Sequence, residues 1–350
     1  MSAETSSGDE LSVTTTVTDE APRLLAPAIT TGSRIAILSP ASAPKHERVR
    51  DGASALRQLG YEPVLSLHAL GSGPLYFAGT VAERLDDLHA AFADPEIAAI
   101  VCTRGGWGSA ELLEGIDLDL IREHPKPLLG YSDITSLQSW IGQQTGLVTF
   151  HGPMISPDFA RPGGVDLASF LAALAGRADW AVGSAEGLRL LRPALVEDRP
   201  MKITGVLAGG CLSLLAEALG TPFAPWPRAG MILFLEDVGT KPYQWDRMLL
   251  HLRYAGLLEG VSAVIFGDMG QCVPASDVAL LEAALLHALH DFAGPICIGL
   301  RSGHVDGSNV TLPLGVRMEL DLGAEGAPTL RALEPAVTSM HAVNAGRDED

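Results

Sequence analysis

Short apolar runs alternate with helix-like segments through the first half of the chain. The runs Arg34–Ser39, Ile97–Cys102 and Leu147–His151 are almost continuously apolar, which is typical of strands buried on both faces of a parallel sheet. Between the first two runs, Val49–Gly60 and the segment that begins at Thr80 carry apolar residues at helical spacing. This alternation predicts an α/β fold with a doubly wound parallel sheet in the N-terminal half.

The second half resumes the pattern after a less regular stretch. Met231–Leu235 and Ile296–Leu300 are predicted to be strands, and Val278–Phe292 is predicted to be a helix. The segment 203–211 (ITGVLAGGC) is predicted to be broken by its glycines, and Val310–Leu322 is predicted to be a hairpin. We therefore expect a second domain of mixed α/β structure.

The loosest stretch of the chain lies between the two patterned halves. Both ends of the chain are rich in small polar or acidic residues, which predicts tails without a packed structure. The predicted division is a disordered tail at 1–32, an α/β domain at 33–165, a linker at 166–200, a second α/β domain at 201–340 and a tail at 341–350.

The chain carries a large negative charge, which narrows the range of partners. Its 350 residues include 42 acidic and 24 basic side chains, for a formal net charge of −18. Such a surface repels phosphate groups, and no cluster of lysines and arginines offsets it. We therefore expect no nucleic-acid partner and no binding to anionic membranes. Hydrophobic residues make up 47% of the chain, which is enough for two packed cores.

The sequence contains no recognisable cofactor or metal motif. The cysteines (Cys102, Cys211, Cys272 and Cys297) stand singly, without zinc spacing, and neither a dinucleotide fingerprint nor a Walker A loop occurs. We therefore expect no cofactor and no metal. The N-terminus lacks the pattern of a secretory signal, and no apolar run is long enough to span a membrane. These features predict a cytoplasmic protein with reduced thiols.

One serine lies where a parallel sheet would place a functional site. The run Pro127–Gly130 leads to Ser132 in the segment GYSDIT, and a helix is predicted to follow. α/β hydrolases present a nucleophile at such a turn, although here Ile134 replaces the second glycine of Gly-x-Ser-x-Gly. A serine that caps a helix explains the same residues. The glycine-rich loop 104–108 (RGGWG) follows the preceding strand and should lie at the same sheet edge.

A nucleophilic serine needs a base and an orienting carboxylate. Of the ten histidines, His151 and His304 each follow an apolar run and lie next to glycine or close to it, so the pattern alone leaves both as candidate bases. Glu236 and Asp237 end the apolar run MILFLE. We favour Glu236 as the inward-facing acid because it continues the strand, whereas Asp237 begins the turn. A helix cap or a salt bridge is the alternative role for these acids.

Longer segments, taken in order, resemble one family. TRGGWGSAELLEGID, PKPLLGYSDITSLQ and LVTFHGPM lie in the first half, and TGVLAGGCLSLLAEALGTPF, MILFLEDVGTKPYQWDRMLLHLRYAG and GLRSGHVDGSNVTLPLGV lie in the second. Together they resemble the LD-carboxypeptidases, or murein tetrapeptide carboxypeptidases, whose relatives include the microcin-immunity serine peptidases. The resemblance covers about residues 33–320. Several long motifs in matching order are far more specific than any single short pattern.

The resemblance implies roles for residues at matching positions. It implies an active site in the cleft between the two domains, with a Ser-Glu-His triad, an oxyanion hole made of backbone N–H groups, and substrate contacts from the glycine-rich loop. The residues concerned are Ser132 as nucleophile, Glu236 as orienting acid, His304 as base, Gly106 and Asp133 in the oxyanion hole, and Arg104 and Trp107 at the substrate. His151 then has a structural or pocket role.

The activity implied by the resemblance is that of a serine carboxypeptidase. It would hydrolyse an L,D-peptide bond and release C-terminal D-alanine from a murein tetrapeptide in cytoplasmic cell-wall recycling. A homodimer is also implied. One alternative is a peptidase that cleaves an acyl-nucleotide antibiotic of the microcin C type, with Trp180 as the candidate platform for the nucleobase. The other is a protein that binds a small ligand on the same kind of sheet without catalysis.

Overall fold

The structure, a computed structural model, describes residues 23–177, 179–196, 201–225, 229–323 and 327–338. Its strands are β1 (Arg34–Leu38), β2 (Glu62–Leu65), β3 (Ile97–Cys102), β4 (Leu128–Gly130), β5 (Thr149–His151), β6 (Ala181–Val182), β7 (Arg189–Arg192), β8 (Lys202–Cys211), β9 (Met231–Glu236), β10 (Val261–Gly267), β11 (Ile296–Leu300), β12 (Leu312–Leu314), β13 (Arg317–Asp321) and β14 (Thr329–Ala332).

The helices lie on the faces of two sheets. They are α1 (His46–Gln58), α2 (Val81–Ala93), α3 (Leu118–Glu123), α4 (Thr135–Thr145), α5 (Leu167–Leu174), α6 (Leu212–Glu217), α7 (Pro242–Tyr254) and α8 (Val278–Ala288), with 3₁₀ turns at Ser109–Gly115, Ser132–Ile134, Ser184–Glu186 and Ala275–Asp277 and a π-helical turn at Ile155–Phe159. No helix in the described ranges combines the length and apolar composition needed to cross a lipid bilayer.

The first sheet is the predicted doubly wound one. Its strand order is β2-β1-β3-β4-β5-β12, and β1 to β5 run parallel. Strands β1, β3, β4 and β5 are almost wholly buried, since helices cover both faces of the sheet. In a sheet of this topology, ligands bind beyond the carboxyl ends of the strands. Ser132 and the loop 104–108 both follow such ends.

The second sheet is mixed, as predicted for the C-terminal half. Its order is β6-β14-β13-β8-β9-β10-β11-β7. Strands β8 to β11 form a parallel centre, whereas β13, β14 and β6 on one side and β7 on the other are antiparallel. The carboxyl end of β9 carries Glu236, so the second sheet supplies its own functional edge.

The hairpin predicted for Val310–Leu322 is wrong. Strand β12 pairs antiparallel with β5 in the first sheet, whereas β13 pairs with β8 and β14 in the second. The chain changes sheets at Gly315, which has φ of +91° and donates its N–H to Leu207 O at 2.8 Å. The turn is therefore anchored on β8, and each flanking strand is paired elsewhere. Local turn residues alone do not distinguish these two arrangements.

The glycines of β8 do not interrupt it, although we predicted that they would. The strand is continuous, and Gly209 and Gly210 take φ values of +128° and +142° near its end. A Cβ atom on Gly209 would lie 1.9 Å from Phe234 O, and one on Gly210 would lie 2.8 Å from Thr135 Oγ1. Gly209 thus lets β8 pass close to β9, and Gly210 lets the second sheet approach the start of α4, three residues after Ser132.

Packed structure extends into the predicted N-terminal tail and the predicted linker, where the helix-like segment Val165–Ala175 contains α5. Leu24 accepts a backbone hydrogen bond from Val148 (3.0 Å), and Ile29 is buried, so the described residues before β1 are not a free tail. The predicted linker contains α5, β6 and β7. Residues 1–22 and the tail predicted at 341–350 lie outside the described residues. The domain bounds themselves stay a prediction.

Candidate active site

Ser132 occupies a strained turn between β4 and α4. Its φ is +62°, in the left-handed region that residues with a side chain rarely adopt. Gly130, two residues earlier, is required because a Cβ there would lie 2.8 Å from Ile134 Cγ2. Ile134 therefore packs over Gly130 at the position where the hydrolase motif has its second glycine. The turn is an elbow that holds the Ser132 side chain clear of its own backbone.

The glycine-rich loop is fastened to this elbow by Asp133. The Ser109 N–H donates to Asp133 Oδ2 at 2.8 Å, and the Ser109 hydroxyl donates to Asp133 O at 2.5 Å. A Cβ on Gly105 would lie 3.0 Å from Ser132 Oγ, so the bare backbone of the loop lies against the serine. We predicted a role for the Asp133 backbone alone; its buried side chain is a positioning element that sequence reasoning missed.

Two backbone N–H groups are available beside the serine. Gly106 has φ of +109°, and a Cβ there would lie 2.3 Å from Ser42 Oγ. Within the described residues, neither the Gly106 N–H nor the Asp133 N–H donates a hydrogen bond to another protein group. Free donors next to a nucleophile are what an oxyanion hole requires. Their role as that hole stays a prediction.

Glu236 and His304 form a hydrogen-bonded pair opposite Ser132, in which Glu236 is buried and His304 partly buried. His304 Nδ1 lies 2.7 Å from Glu236 Oε2, and the His304 backbone N–H donates to the same oxygen at 3.0 Å. Glu236 is 1% exposed. Because the carboxylate accepts from Nδ1–H, the tautomer leaves the other ring nitrogen, Nε2, free to accept a proton. This is the arrangement of base and orienting acid in a serine hydrolase.

Each member of the pair shifts the pKa of the other so that the charged form is favoured: the pKa of His304 is raised and that of Glu236 is lowered. Burial lowers the pKa of His304, but the charge of Glu236 and its hydrogen bond outweigh this, so the pKa of His304 is raised. Burial raises the pKa of Glu236, but the positive charge and hydrogen bond of His304 outweigh it, so the pKa of Glu236 is lowered. Glu236 is therefore an anion whenever His304 acts as a base.

Two further residues, which sequence reasoning did not single out, hold this pair in place. Gly303 has φ of +94°, and a Cβ there would lie 2.4 Å from Glu236 Cδ. The buried Asn309 side chain accepts from the Gly303 N–H and donates to Gly303 O, both at 3.0 Å. Both residues lie in the motif SGHVDGSN, which is part of the family resemblance. Their function depends on contacts with distant residues, which the spacing of residues in the motif does not reveal.

Replacing Gly303 by alanine should displace the Glu236 carboxylate. We expect kcat to fall about 10–100-fold because the pair loses its alignment, with a smaller change in KM. Steady-state kinetics on the folded variant measures this. Gly307→Ala is the matched control in the same loop, since a Cβ there would meet Arg301 Cδ at an ordinary 3.5 Å. Equal activity of the two variants would contradict the expectation.

His151 reaches the pair from the first sheet. It is fully buried, and its Nε2 lies 3.8 Å from Glu236 Oε1. Burial lowers the pKa of His151 to about 4, so its ring is neutral at physiological pH. His151 only approaches Glu236, whereas His304 makes a hydrogen bond to the same carboxylate. The geometry therefore favours His304 over His151 as the base.

Tyr131 and Asp158 complete the surroundings of His304. The rings of Tyr131 and His304 are 5.0 Å apart at 87°, an edge-to-face contact. Asp158 is buried and accepts from the Met154 N–H at 2.9 Å. Burial raises the pKa of Asp158 to about 6 against the hydrogen bonds that it accepts. Neither residue was among the predicted site residues.

Ser132 and His304 line one cavity of about 310 Å³. Its other lining residues are Lys45, Arg48, Arg104, Gly105, Gly106, Tyr131, Met154, Ser156 and Pro157. Thus three cations and no carboxylate surround this opening in a strongly acidic chain. Among the described residues, no hydrogen bond joins Ser132 to His304, which is common before substrate binds. Trp107, predicted to contact substrate, is 39% exposed beside the cavity and is not one of its lining residues.

The structure also bears on the remaining candidates. Trp180 is 2% exposed and belongs to the hydrophobic core, so it cannot serve as a platform for a nucleobase.

In the part of the chain that the structure describes, no group of three or more His, Cys, Asp or Glu side chains could hold a metal ion. A larger cavity of about 590 Å³ between α4 and β8 contains none of the predicted site residues.

Comparison with known proteins places this geometry in a family. Residues 35–152 match the LD-carboxypeptidase N-terminal domain, and residues 204–320 match the LD-carboxypeptidase C-terminal domain. The chain belongs to the LD-carboxypeptidase family. It is therefore a hydrolase of the serine carboxypeptidase class, as the resemblance of its motifs implied.

The relatives of this LD-carboxypeptidase family member include proteins named as murein peptide carboxypeptidases and proteins named as microcin self-immunity proteins. It is 38% identical to the "Probable murein peptide carboxypeptidase" of Bacillus subtilis (strain 168), over 86% of this chain and 92% of the relative. A muramoyltetrapeptide carboxypeptidase from Oxalobacter formigenes superposes with a TM-score of 0.74 at 28% identity, covering 87% of this chain and 100% of that one. MccF in complex with glutamyl sulfamoyl guanosine superposes with a TM-score of 0.77 at 26% identity, covering 90% and 100%.

Proposed function

We propose that this protein is a serine LD-carboxypeptidase that releases C-terminal D-alanine from murein tetrapeptides through Ser132, Glu236 and His304. The observation that carries the proposal is the cavity in which the strained Ser132 and the Glu236-bound His304 meet. A serine hydroxyl needs a base with a free ring nitrogen, and that base needs a fixed acid; the two sheets supply one part each.

The geometry supports a two-stage hydrolysis. His304 Nε2 takes the Ser132 proton while Oγ forms a bond to the carbonyl carbon of the scissile peptide. The Gly106 and Asp133 N–H groups bind the oxyanion. As the C–N bond breaks, the imidazolium gives its proton to the leaving amine of D-alanine. Water, deprotonated by His304, then attacks the acyl-serine, and His304 returns that proton to Ser132 Oγ as the shortened peptide leaves.

The cations of the cavity suit a substrate that ends in a carboxylate. Arg48 donates to Ser156 O and Ala160 O, so its guanidinium is partly used by the protein. Lys45 and Arg104 make no ion pair within the described residues, although both line the cavity. The Arg104 guanidinium donates Nε–H to Gly105 O at 3.2 Å, which leaves its terminal nitrogens for a ligand. A carboxypeptidase must distinguish a free C-terminal carboxylate from a continuing chain, and a guanidinium next to the serine can do this.

Replacing Arg104 by alanine should remove this discrimination. We expect kcat/KM on the tetrapeptide to fall about 10–100-fold, because a hydrogen bond to a charged group is lost. The variant should also treat the peptide and its C-terminal amide almost alike, whereas the parent enzyme strongly prefers the acid. Arg57→Ala, an exposed arginine on α1, is the control. If the parent enzyme showed no preference for the acid, the assignment of Arg104 would be rejected.

A direct substrate comparison tests the proposed activity. The protein is incubated with L-Ala-D-Glu-meso-diaminopimelate-D-Ala and, separately, with an aminoacyl sulfamoyl adenosine, and products are identified by mass spectrometry. We expect D-alanine from the first and no product from the second. Turnover of the second alone would assign the protein to the microcin-immunity branch. Failure of a fluorophosphonate to label Ser132, together with no turnover of either compound, would favour a ligand-binding protein without catalysis.

The compartment and the assembly belong to the same proposal. All four cysteines are free thiols, which suits the reducing cytoplasm in which murein fragments would be recycled. The homodimer implied by the family resemblance is tested by the molar mass of the purified protein in sedimentation equilibrium. A mass of one chain at micromolar concentration would reject it.

A further inference from the structure

Two buried polar groups face each other without a partner at the back of the triad. Both ring nitrogens of His151 lack a hydrogen-bond partner, and so does Glu236 Oε1, within the part of the chain that the structure describes. The nearest approach between them is 3.8 Å, from His151 Nε2 to Glu236 Oε1. Buried polar atoms are almost always hydrogen-bonded, so a facing pair of unpartnered ones calls for an explanation.

The two groups come from different sheets. His151 ends β5, where its residue pairs with Gly130 on β4 and with Leu312 on β12. Glu236 ends β9, paired with Cys211 on β8. Gly130 is two residues from Ser132, so His151 is tied by its backbone to the strand that carries the nucleophile. Its side chain points across the cleft to the acid of the other half.

The ring of His151 is held in a fixed orientation. Phe234 contacts it edge-to-face with centroids 5.2 Å apart, and the Tyr131 ring lies 5.9 Å away. Of the charged groups nearby, Glu236 and His304 act on it directly, and Asp158, Asp237 and Arg161 lie farther out around the pair. A neutral imidazole in this place can donate one N–H without adding a charge to the site.

We propose that His151 is a positioning residue that donates Nε2–H to Glu236 Oε1 and thereby fixes the carboxylate that orients His304. This inference rests on the proposed triad. Oε2 already accepts two N–H groups from His304, so Oε1 is the oxygen that needs a donor. A shift of about 0.9 Å brings the two atoms to an ordinary hydrogen-bond distance, which active sites often reach only with substrate bound.

The function of this contact is to keep the carboxylate from turning as charge moves. When His304 accepts the Ser132 proton, its attraction to Glu236 rises sharply. A carboxylate held at both oxygens keeps Oε2 in line with Nδ1, whereas one held at a single oxygen can rotate. The contact also sets the spacing between the nucleophile strand and the acid strand, since one end belongs to each sheet.

Three variants at this position test the proposal on the tetrapeptide substrate. His151→Phe keeps the ring and removes the donor; we expect kcat to fall about 10–100-fold with KM within threefold of the parent. The acidic limb of the kcat/KM profile should move to higher pH by several tenths of a unit, because Glu236 without its donor holds a proton on His304 more strongly. His151→Gln places an amide N–H near Nε2 and should restore both rate and profile. His151→Asn is too short to reach and should behave like the phenylalanine variant, which provides the comparison if that variant does not fold.

The outcomes separate this inference from the proposed triad. Phenylalanine or asparagine variants with the parental kcat and pH profile would reject a positioning role. Equal losses in the glutamine variant, with no change in the profile, would reject it too, because they indicate a packing effect. If Ser132→Ala retained full activity, the triad itself would fall, and His151 would then have no acid to position.

Discussion

Ser132→Ala and Ser132→Gly should both be inactive, yet the glycine variant should be the more stable of the two. Loss of the nucleophile lowers kcat by about 10⁴-fold or more, since only binding and the oxyanion hole remain. Stability depends on the backbone instead. Ser132 has φ of +62°, a conformation that costs an L-residue roughly 1–2 kcal/mol and costs glycine almost nothing. We expect the free energy of unfolding of Ser132→Gly to be about 1 kcal/mol higher than that of Ser132→Ala.

Kinetics and denaturant unfolding measure the two parts separately. Fluorophosphonate labelling should be absent from both variants, and Ser136→Ala in the first turn of α4 serves as the control for each assay. If the glycine variant were less stable than the alanine variant, the backbone at Ser132 would not be strained. That result would not affect the assignment of Ser132 as the nucleophile. Residual turnover above about one hundredth of the parent rate would contradict the nucleophile itself.

Glu236→Gln should lower kcat by on the order of 10³-fold and move the acidic limb of the rate profile to lower pH. Both donors of His304 point at Oε2, so the amide oxygen of glutamine takes that place and the tautomer is preserved. The change is therefore a loss of charge. In the parent, Glu236 raises the pKa of His304 against the effect of burial. Without that charge burial dominates, the pKa falls, and the ring remains a free base at lower pH.

The pH dependence of kcat/KM between pH 4 and 8 provides the measurement. Glu259→Gln, which neutralises an exposed carboxylate far along the chain, should leave both the rate and the profile unchanged. An acidic limb that stays in place in the Glu236 variant would show that the limb belongs to another group. Asp158, whose pKa burial raises to about 6, would be the next residue to replace.

Much of the fold could be predicted because apolar runs determine buried strands directly. The helix-like segment that begins at Thr80 is α2, and Thr80 and Glu83 form a capping box at its start, with hydrogen bonds of 3.2 and 2.8 Å. The predictions failed where pairing partners lie far apart in the chain. The residues around Gly315 are compatible with a hairpin, but β12 pairs with β5 and β13 pairs with β8. The sequence of the turn contains no information on these distant partners.

The candidate site could be predicted in part for the same reason. Glu236 ends an apolar run, Ser132 and His304 follow shortly after one, and strand ends meet at the edges of sheets. Gly303 and Asn309 could not be singled out, because their effect is exerted on Glu236, which is about 70 residues distant in sequence. The position of His151 after an apolar run and next to a glycine made it a candidate base in competition with His304. Its contact with Glu236 Oε1 is a matter of tertiary distance that no local pattern contains.

The pairing of β12 with β5 has a consequence for how the protein is made. The sheet that holds the nucleophile is completed by Leu312–Leu314, which the ribosome adds after almost the whole second sheet has been synthesised. Until then β5 is an open edge, ready to pair with a strand of another chain. A shortened product that ends before residue 312 should therefore aggregate. We therefore expect the first sheet to be completed only after Leu312–Leu314 has been synthesised.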